Sequence, residues 1–229
     1  YNSFENVLQQ GLNAITVTEF ENIAENSSVL ILDTRNNKEF AIGFIPQSVN
    51  IGVNGDFAPW VGALIADVKQ PILLVTENDK VEETITRLSR VGFDSILGYL
   101  KGGFEAWKEA GKEIDSVNRI SSEAFANLVS IGTDKIIDIR KESEYIAEHI
   151  EDAYNKPLSN INNWIKEINP SEHFFMHCAG GYRSMIAASI LQARGYRNFT
   201  EIDGGFNAIA KTNLPRTDYV CTSKISSSI

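Results

Sequence analysis

The stretch Phe174-Phe175-Met176-His177-Cys178-Ala179-Gly180-Gly181-Tyr182-Arg183-Ser184 passes from a short apolar run, through a glycine pair, into a helical pattern. Phe174–His177 lacks polar alternation, which predicts a strand buried on both faces. Ser184–Arg194 carries apolar residues at i, i+3 and i+4 and predicts a helix. Gly195 follows where a helix end takes a left-handed residue. A strand that feeds a helix through a tight loop is a unit of parallel sheet. Open α/β sheets gather ligands at the carboxyl ends of such strands. Cys178 stands at that end.

Working outward, the same pattern occurs twice. Lys135-Ile136-Ile137-Asp138-Ile139-Arg140 echoes Val29-Leu30-Ile31-Leu32-Asp33-Thr34-Arg35, and Glu144-Tyr145 echoes Glu39-Phe40. Glu148-His149-Ile150-Glu151, leading to Asn155, echoes Gly43-Phe44-Ile45-Pro46, leading to Asn50. Phe174–His177 echoes Ile72–Val75, Gly195 echoes Gly92, and Gly204-Gly205-Phe206 echoes Gly102-Gly103-Phe104. The offset stays between 102 and 105 residues, so this is a domain duplication and not a short-period repeat. Glu82–Val91 is the helix of the first copy. The expected organisation is an α/β chain of two domains, 1–115 and 116–216, each a central parallel sheet with helices on both faces. A linker is expected near Gly111–Arg119 and a tail over 217–229.

Composition agrees with that size. The chain has 229 residues, about twice a typical domain. Its net charge of −9 argues against nucleic acid or an anionic membrane as partner. Residues 1–115 carry −8 of this and residues 116–229 only −1, so a small anion is better received by the second copy. No apolar run approaches a membrane span, and no signal peptide is visible at Tyr1-Asn2-Ser3-Phe4-Glu5. The absent initiator Met leads us to expect a piece of a longer protein. Two cysteines, Cys178 and Cys221, are too few for a disulfide framework, and a reducing cytoplasm is the expected compartment. His149, His173 and His177 lack zinc-ligand spacing, so no metal and no cofactor are expected.

The loop after Cys178 carries the chemistry. Gly180 and Gly181 let the backbone curl so that the N–H groups of Ala179 through Ser184 point inward. The helix amino end adds partial positive charge and unpaired donors. Arg183 adds a fixed cation, Tyr182 shapes the entrance, and Ser184 is expected to cap the helix. The result is an anion cradle with a thiol at its floor, a field that favours the thiolate. Such a thiolate attacks sulfane sulfur, and the persulfide anion then rests in the same cradle. In the first copy Thr76 takes the place of Cys178. The loop there is acidic (Glu77, Asp79, Glu82 and Glu83) and lacks the glycine pair, which predicts a copy without catalysis.

Cys178-Ala179-Gly180-Gly181-Tyr182-Arg183-Ser184 resembles the active-site loop of the rhodaneses, the thiosulfate and persulfide sulfurtransferases. Asp138-x-Arg140, Glu144-Tyr145, His149-Ile150 and Gly204-Gly205-Phe206 resemble that family's other motifs in order. Glu148 stands where the family usually has Gly. The resemblance implies that Cys178 takes sulfane sulfur from thiosulfate or a low-molecular-weight persulfide such as glutathione persulfide. Sulfite or a thiol leaves, and a second nucleophile then removes the sulfur. Four residues separate Cys178 from Arg183, where tyrosine-type phosphatases have five. Phe57–Leu64 resembles the inactive rhodanese of fusion proteins that begin with a metallo-β-lactamase-fold persulfide dioxygenase. That implies a dioxygenase partner in the full-length protein and a task in sulfide and persulfide detoxification. A docking module without catalysis and a protein-to-protein sulfur relay remain as alternatives, and self-association into a homo-oligomer is left open.

Three supporting residues, Asp138, Arg140 and His149, lie in the other motifs. Asp138 and Arg140 read first as a fold-stabilising ion pair, with Arg140 also placed to face the loop. His149 reads as a packing or capping residue before a substrate contact. His177 should point away from Cys178 by strand alternation. Cys221 reads as a surface thiol. Phe57–Leu64 reads structurally as an apolar loop.

Overall fold

The structure, a computed structural model, describes residues 4–221, and it divides into two compact units, Tyr1–Ser116 and Val117–Ile229. The first unit opens with α1 (Phe4–Gly11), β1 (Ala14–Ile15), α2 (Val17–Asn26), β2 (Leu30–Asp33), α3 (Asn37–Ile42) and β3 (Val49–Asn50). It continues with α4 (Phe57–Leu64), β4 (Ile72–Val75), α5 (Val81–Arg90), β5 (Ile96–Leu100) and α6 (Gly103–Glu109). The second unit opens with β6 (Arg119–Ile120), α7 (Ser122–Leu128), β7 (Ile136–Asp138), α8 (Glu142–Ala147) and β8 (Tyr154–Asn155). It closes with α9 (Ile161–Trp164), β9 (Phe174–His177), α10 (Tyr182–Ala193), β10 (Phe199–Ile202) and α11 (Gly205–Ile209).

Each unit builds one five-stranded sheet, ordered β1-β5-β4-β2-β3 and β6-β10-β9-β7-β8. Every strand pair is parallel. The middle strands, β4 and β9, are buried along their whole length, as their unbroken apolar runs require. The registers of the two copies match. Asp33 lies opposite Val75 and Asp138 opposite His177; Ala14 lies opposite Tyr99 and Arg119 opposite Glu201. Phe20, Leu73, Val75, Leu100 and Trp107 belong to a core cluster of the first sheet, and Phe125, Phe175, Ile202, Phe206 and Ile209 to one of the second.

Two expectations change. Phe57–Leu64 is a helix, not a loop: Phe57, Val61 and Leu64 share one buried face at helical spacing. Pro59 falls in its first turn, where a missing N–H costs nothing. The expected tail begins with a docked strap. Thr217 N donates to His149 O at 2.9 Å and Val220 N to Ala147 O at 2.8 Å. The remainder of the expected tail, beyond Cys221, lies outside the described residues. No helix among the described residues is long and apolar enough to cross a membrane.

Candidate active site

Cys178 is the first residue past β9, and its side chain is buried, with the residue 1% exposed. The chain turns back at Gly181, whose φ of +102° is a conformation that glycine adopts without strain, and α10 starts at Tyr182. That turn brings Gly181 N to 3.1 Å from Cys178 Sγ, donating to it. Gly180 needs no such freedom, since a Cβ there would meet nothing closer than Asn207 Nδ2 at 3.8 Å. Ala179 and Tyr182 are half-buried, and Gly180 is exposed.

The loop is anchored from behind by α11. Phe206 N donates to Cys178 O at 2.7 Å and Asn207 N to Ala179 O at 2.9 Å. A trans peptide points its carbonyl and N–H in opposite directions, so these bonds turn the N–H groups of Ala179 and Gly180 away from α11. Gly205 makes the approach feasible. Its φ is +55°, and a Cβ there would lie 2.4 Å from Cys178 O and 2.8 Å from Ala179 O. This is the physical reason for the second glycine of Gly204-Gly205-Phe206.

Arg183 is not the bare cation the sequence suggests. Its guanidinium forms a two-pronged pair with Glu144 on α8, Nη1 to Oε2 at 2.6 Å and Nη2 to Oε1 at 2.9 Å. The Arg183 bonds hold the Glu144 carboxyl below the ordinary glutamate range. The same pairing raises Arg183 further, and the Cys178 and Asp138 charges add to it. Sequence reading quoted Glu144 as a motif residue and missed this role, because the pair spans 39 positions.

Ser184 also departs from expectation. It lies inside α10 and does not cap it; the N-cap is Gly181. Its Oγ is 3.4 Å from Cys178 Sγ and donates to Glu201 Oε1 at 2.5 Å. Glu201 on β10 is fully buried and accepts from Arg119 Nε at 2.6 Å. Burial raises the Glu201 carboxyl above its ordinary range, with Arg119 and Ser184 pulling the other way. Neither Glu201 nor Arg119 was found from sequence, although a glutamate inside an otherwise buried strand is itself a signal.

His177 stacks its ring on that of Phe206, centroids 6.1 Å apart. Its Nδ1 lies 3.1 Å from Cys178 O, and Nε2 finds no hydrogen-bond partner among the described residues. Burial lowers its basicity, and Asp138 at 4.0 Å offsets part of that. His149 packs: its Nδ1 is 2.7 Å from Tyr145 O, and its ring stacks on Tyr145 at 3.7 Å. Cys221 is exposed.

The rhodanese-like domain family matches residues 16–110 and again 121–212. The chain belongs to the rhodanese-like family. It is similar to a protein of Allochromatium vinosum named sulfurtransferase, 31% identical across 43% of this chain and 94% of the relative. It is also similar to the adenylyltransferase and sulfurtransferase uba4 of Pyricularia oryzae, 29% identical across 50% of this chain and 26% of that protein. The chain spans about half the length of two other curated relatives it matches, 55% and 45%. Among solved structures it resembles a rhodanese-like domain protein from Staphylococcus aureus, 26% identical over 43% of this chain and 97% of that one, with a TM-score of 0.39.

With two rhodanese-like domains in one chain, each serves as a control for the other. Asp138 and Arg140 make the same clasp in the thiol-bearing domain as Asp33 and Arg35 make in the other. In each, Nη2 reaches the aspartate at 2.6 Å and a main-chain carbonyl, that of Glu148 or Gly43, at 2.8 or 2.9 Å. Each guanidinium lies over the phenylalanine of the Gly-Gly-Phe motif, at 3.8 Å from Phe206 and 4.1 Å from Phe104. Asn155 and Asn50 bridge the two carbonyls of each clasp. The clasp is made alike in the copy with the thiol and in the copy without it. In the first domain Thr76 lines a cavity of about 540 Å³ together with Arg35, Glu39, Glu77 and Phe104. The Thr76 hydroxyl has no hydrogen-bond partner among the described residues.

Proposed function

We propose that the second domain is a sulfurtransferase that carries a sulfur atom on Cys178. The observation that supports this most directly is the Cys178 sulfur at a strand's carboxyl end, receiving the Gly181 N–H at 3.1 Å. The thiolate attacks the outer sulfur of thiosulfate. A new S–S bond to Cys178 forms, the donor's S–S bond breaks with its electron pair, and sulfite leaves. With a persulfide donor such as glutathione persulfide, the thiolate of the carrier leaves instead. The backbone N–H groups of residues 179–184 and the Arg183 side chain hold the Cys178 persulfide. A thiol, sulfite or cyanide then attacks its terminal sulfur and returns the Cys178 thiolate. This is two-step transfer through a covalent intermediate. The first domain, with Thr76 in place of the nucleophile, takes no part in the transfer. Removal of surplus sulfide and persulfide is the cellular task that fits these substrates.

Intact-mass measurement tests this. After incubation with thiosulfate or glutathione persulfide, the wild type should gain the mass of one sulfur and lose it to cyanide. Cys178→Ser should gain nothing. A reduced wild type that gains no sulfur from either donor overturns the proposal.

A further inference from the structure

Among the described residues, the one fully buried carboxylate in contact with the nucleophile's own hydrogen-bond network is Glu201. A line of three contacts starts at the thiol: Cys178 Sγ lies 3.4 Å from Ser184 Oγ, that hydroxyl donates to Glu201 Oε1 at 2.5 Å, and Arg119 Nε donates to Glu201 Oε2 at 2.6 Å. The other copy lacks every part of this line. Matching registers place Ala14 where Arg119 stands and Tyr99 where Glu201 stands, and the offset of Gly92 from Gly195 places Val81, the first residue of α5, where Ser184 stands, so Glu82 and Glu83 lie in that helix and not in the loop. The Asp-x-Arg clasp is present in the copy without the thiol; this line is not. That separates the line from the clasp.

A serine hydroxyl has a single proton to donate. With Glu201 ionised, that proton is held by the carboxylate. The sulfur then faces only a lone pair, and the contact is satisfied when the sulfur itself carries a proton. With Glu201 protonated, the carboxyl donates to Ser184 Oγ, and the serine proton is free to turn to a thiolate. The two ends are therefore coupled.

We infer that Glu201 stores the Cys178 proton, reached through the Ser184 hydroxyl. Its purpose rests on the sulfurtransferase reading; its geometry stands without it. In the step, the Cys178 S–H bond breaks, the serine accepts that proton as it passes its own to Glu201 Oε1, and the carboxyl O–H forms. A thiol and a carboxylate become a thiolate and a carboxylic acid, with atoms and charge conserved. The thiolate can then attack a sulfur donor without releasing a proton into a closed site. Glu201 acts through Ser184 and is a positioning residue, not one that touches the donor. Burial favours the protonated acid, as this role needs. The charged groups that bear on the line are Arg119 and Asp203 at the Glu201 end and Arg183 at the thiol end, with Asp138 acting on both Arg183 and His177.

The experiment is the pH profile of Cys178 alkylation by iodoacetamide, followed at that residue by peptide mass mapping in the full chain. Glu201→Gln imitates the protonated acid and can donate to Ser184 at every pH. Its alkylation at about pH 6 should be about tenfold faster than wild type, a downward displacement of about one pH unit. Ser184→Ala removes the donor to the thiolate and should be about tenfold slower at the same pH. Displacements of opposite sign are the signature, since general damage to the loop would move both the same way. Profiles that coincide with wild type, or that move together, overturn the inference. Should Glu201→Gln fail to fold, Ser184→Ala decides alone, and a profile coinciding with wild type overturns it. Sulfur loading from thiosulfate is read on the same samples. Loading with undisplaced profiles overturns the proton store only. Displaced profiles without loading overturn the sulfurtransferase reading and leave the store standing.

Discussion

Arg183 and Glu144 face each other as two parallel charge-assisted hydrogen bonds, 2.6 and 2.9 Å long, so the loop's cation comes already neutralised. An arginine fixed this way offers directed N–H groups more than net charge, and lysine cannot reproduce the fork. Arg183→Lys should lower kcat/KM for sulfur transfer about tenfold, on the order of 1.4 kcal/mol. Glu144→Gln should instead leave a freer guanidinium, giving a lower KM for thiosulfate with a lower kcat. Steady-state kinetics with two donor concentrations series separate the two; an unchanged KM in Glu144→Gln would contradict the neutralised-cation picture.

The acid response should fall in two windows. The Glu144 carboxyl is lowered in the fold, so the stability it contributes is complete above its ordinary value of 4.5 and is lost as pH falls through the native value. His177 is also lowered, here by burial. Its neutral form is the one folded, so stability is lost as pH falls below the ordinary value of 6.5. The first domain has Val75 at that register and should lack the upper window. Hydrogen exchange on peptides of both domains, at pH 7 and then in mild acid, reads this directly. The expected result is earlier opening of the second domain, relieved by His177→Val.

Gly205→Ala should be costly and Gly103→Ala much less so. Both positions are left-handed, at +55° and +63°, but a Cβ at Gly205 would meet Cys178 O at 2.4 Å while one at Gly103 would meet Thr76 O at 3.3 Å. We expect a loss of more than about 2 kcal/mol for the first and about 1 kcal/mol for the second. Denaturant unfolding monitored domain by domain measures the difference. Equal losses would mean that the loop anchor is not the reason for the glycine.

Thr76→Cys should not revive the first domain. A thiol there would lack the glycine turn, the paired arginine and the buried carboxylate that surround Cys178. Mass measurement of Thr76→Cys combined with Cys178→Ser should show no sulfur gained from thiosulfate; a gain would show that a thiol at a strand end suffices.

Much of this was legible in the sequence because the signals are local or repeated. Phe174–His177 declares a buried strand by composition, and the duplication aligns every motif twice except the Cys178 loop. Cys178 and its loop follow from a run of seven residues. What escaped depends on contacts between distant residues. Nothing near Arg183 announces that Glu144 will bind it, and nothing near Ser184 announces Glu201 or Arg119. Phe57–Leu64 hid as a loop because Pro59 and Gly62 mask its helical face. Thr217 and Val220 read as tail because their hydrogen bonds are made by main-chain atoms, which a sequence does not display.

The bond from Phe206 N to Cys178 O has a consequence for the chain as it is made. Synthesis runs toward the carboxyl end, and Cys178 leaves the ribosome before the segment that shapes its loop. Until β10 and α11 have emerged, the thiol has neither its anchor nor its buried carboxylate. The nascent chain therefore carries Cys178 without its surroundings, and the loop is complete only when β10 and α11 dock.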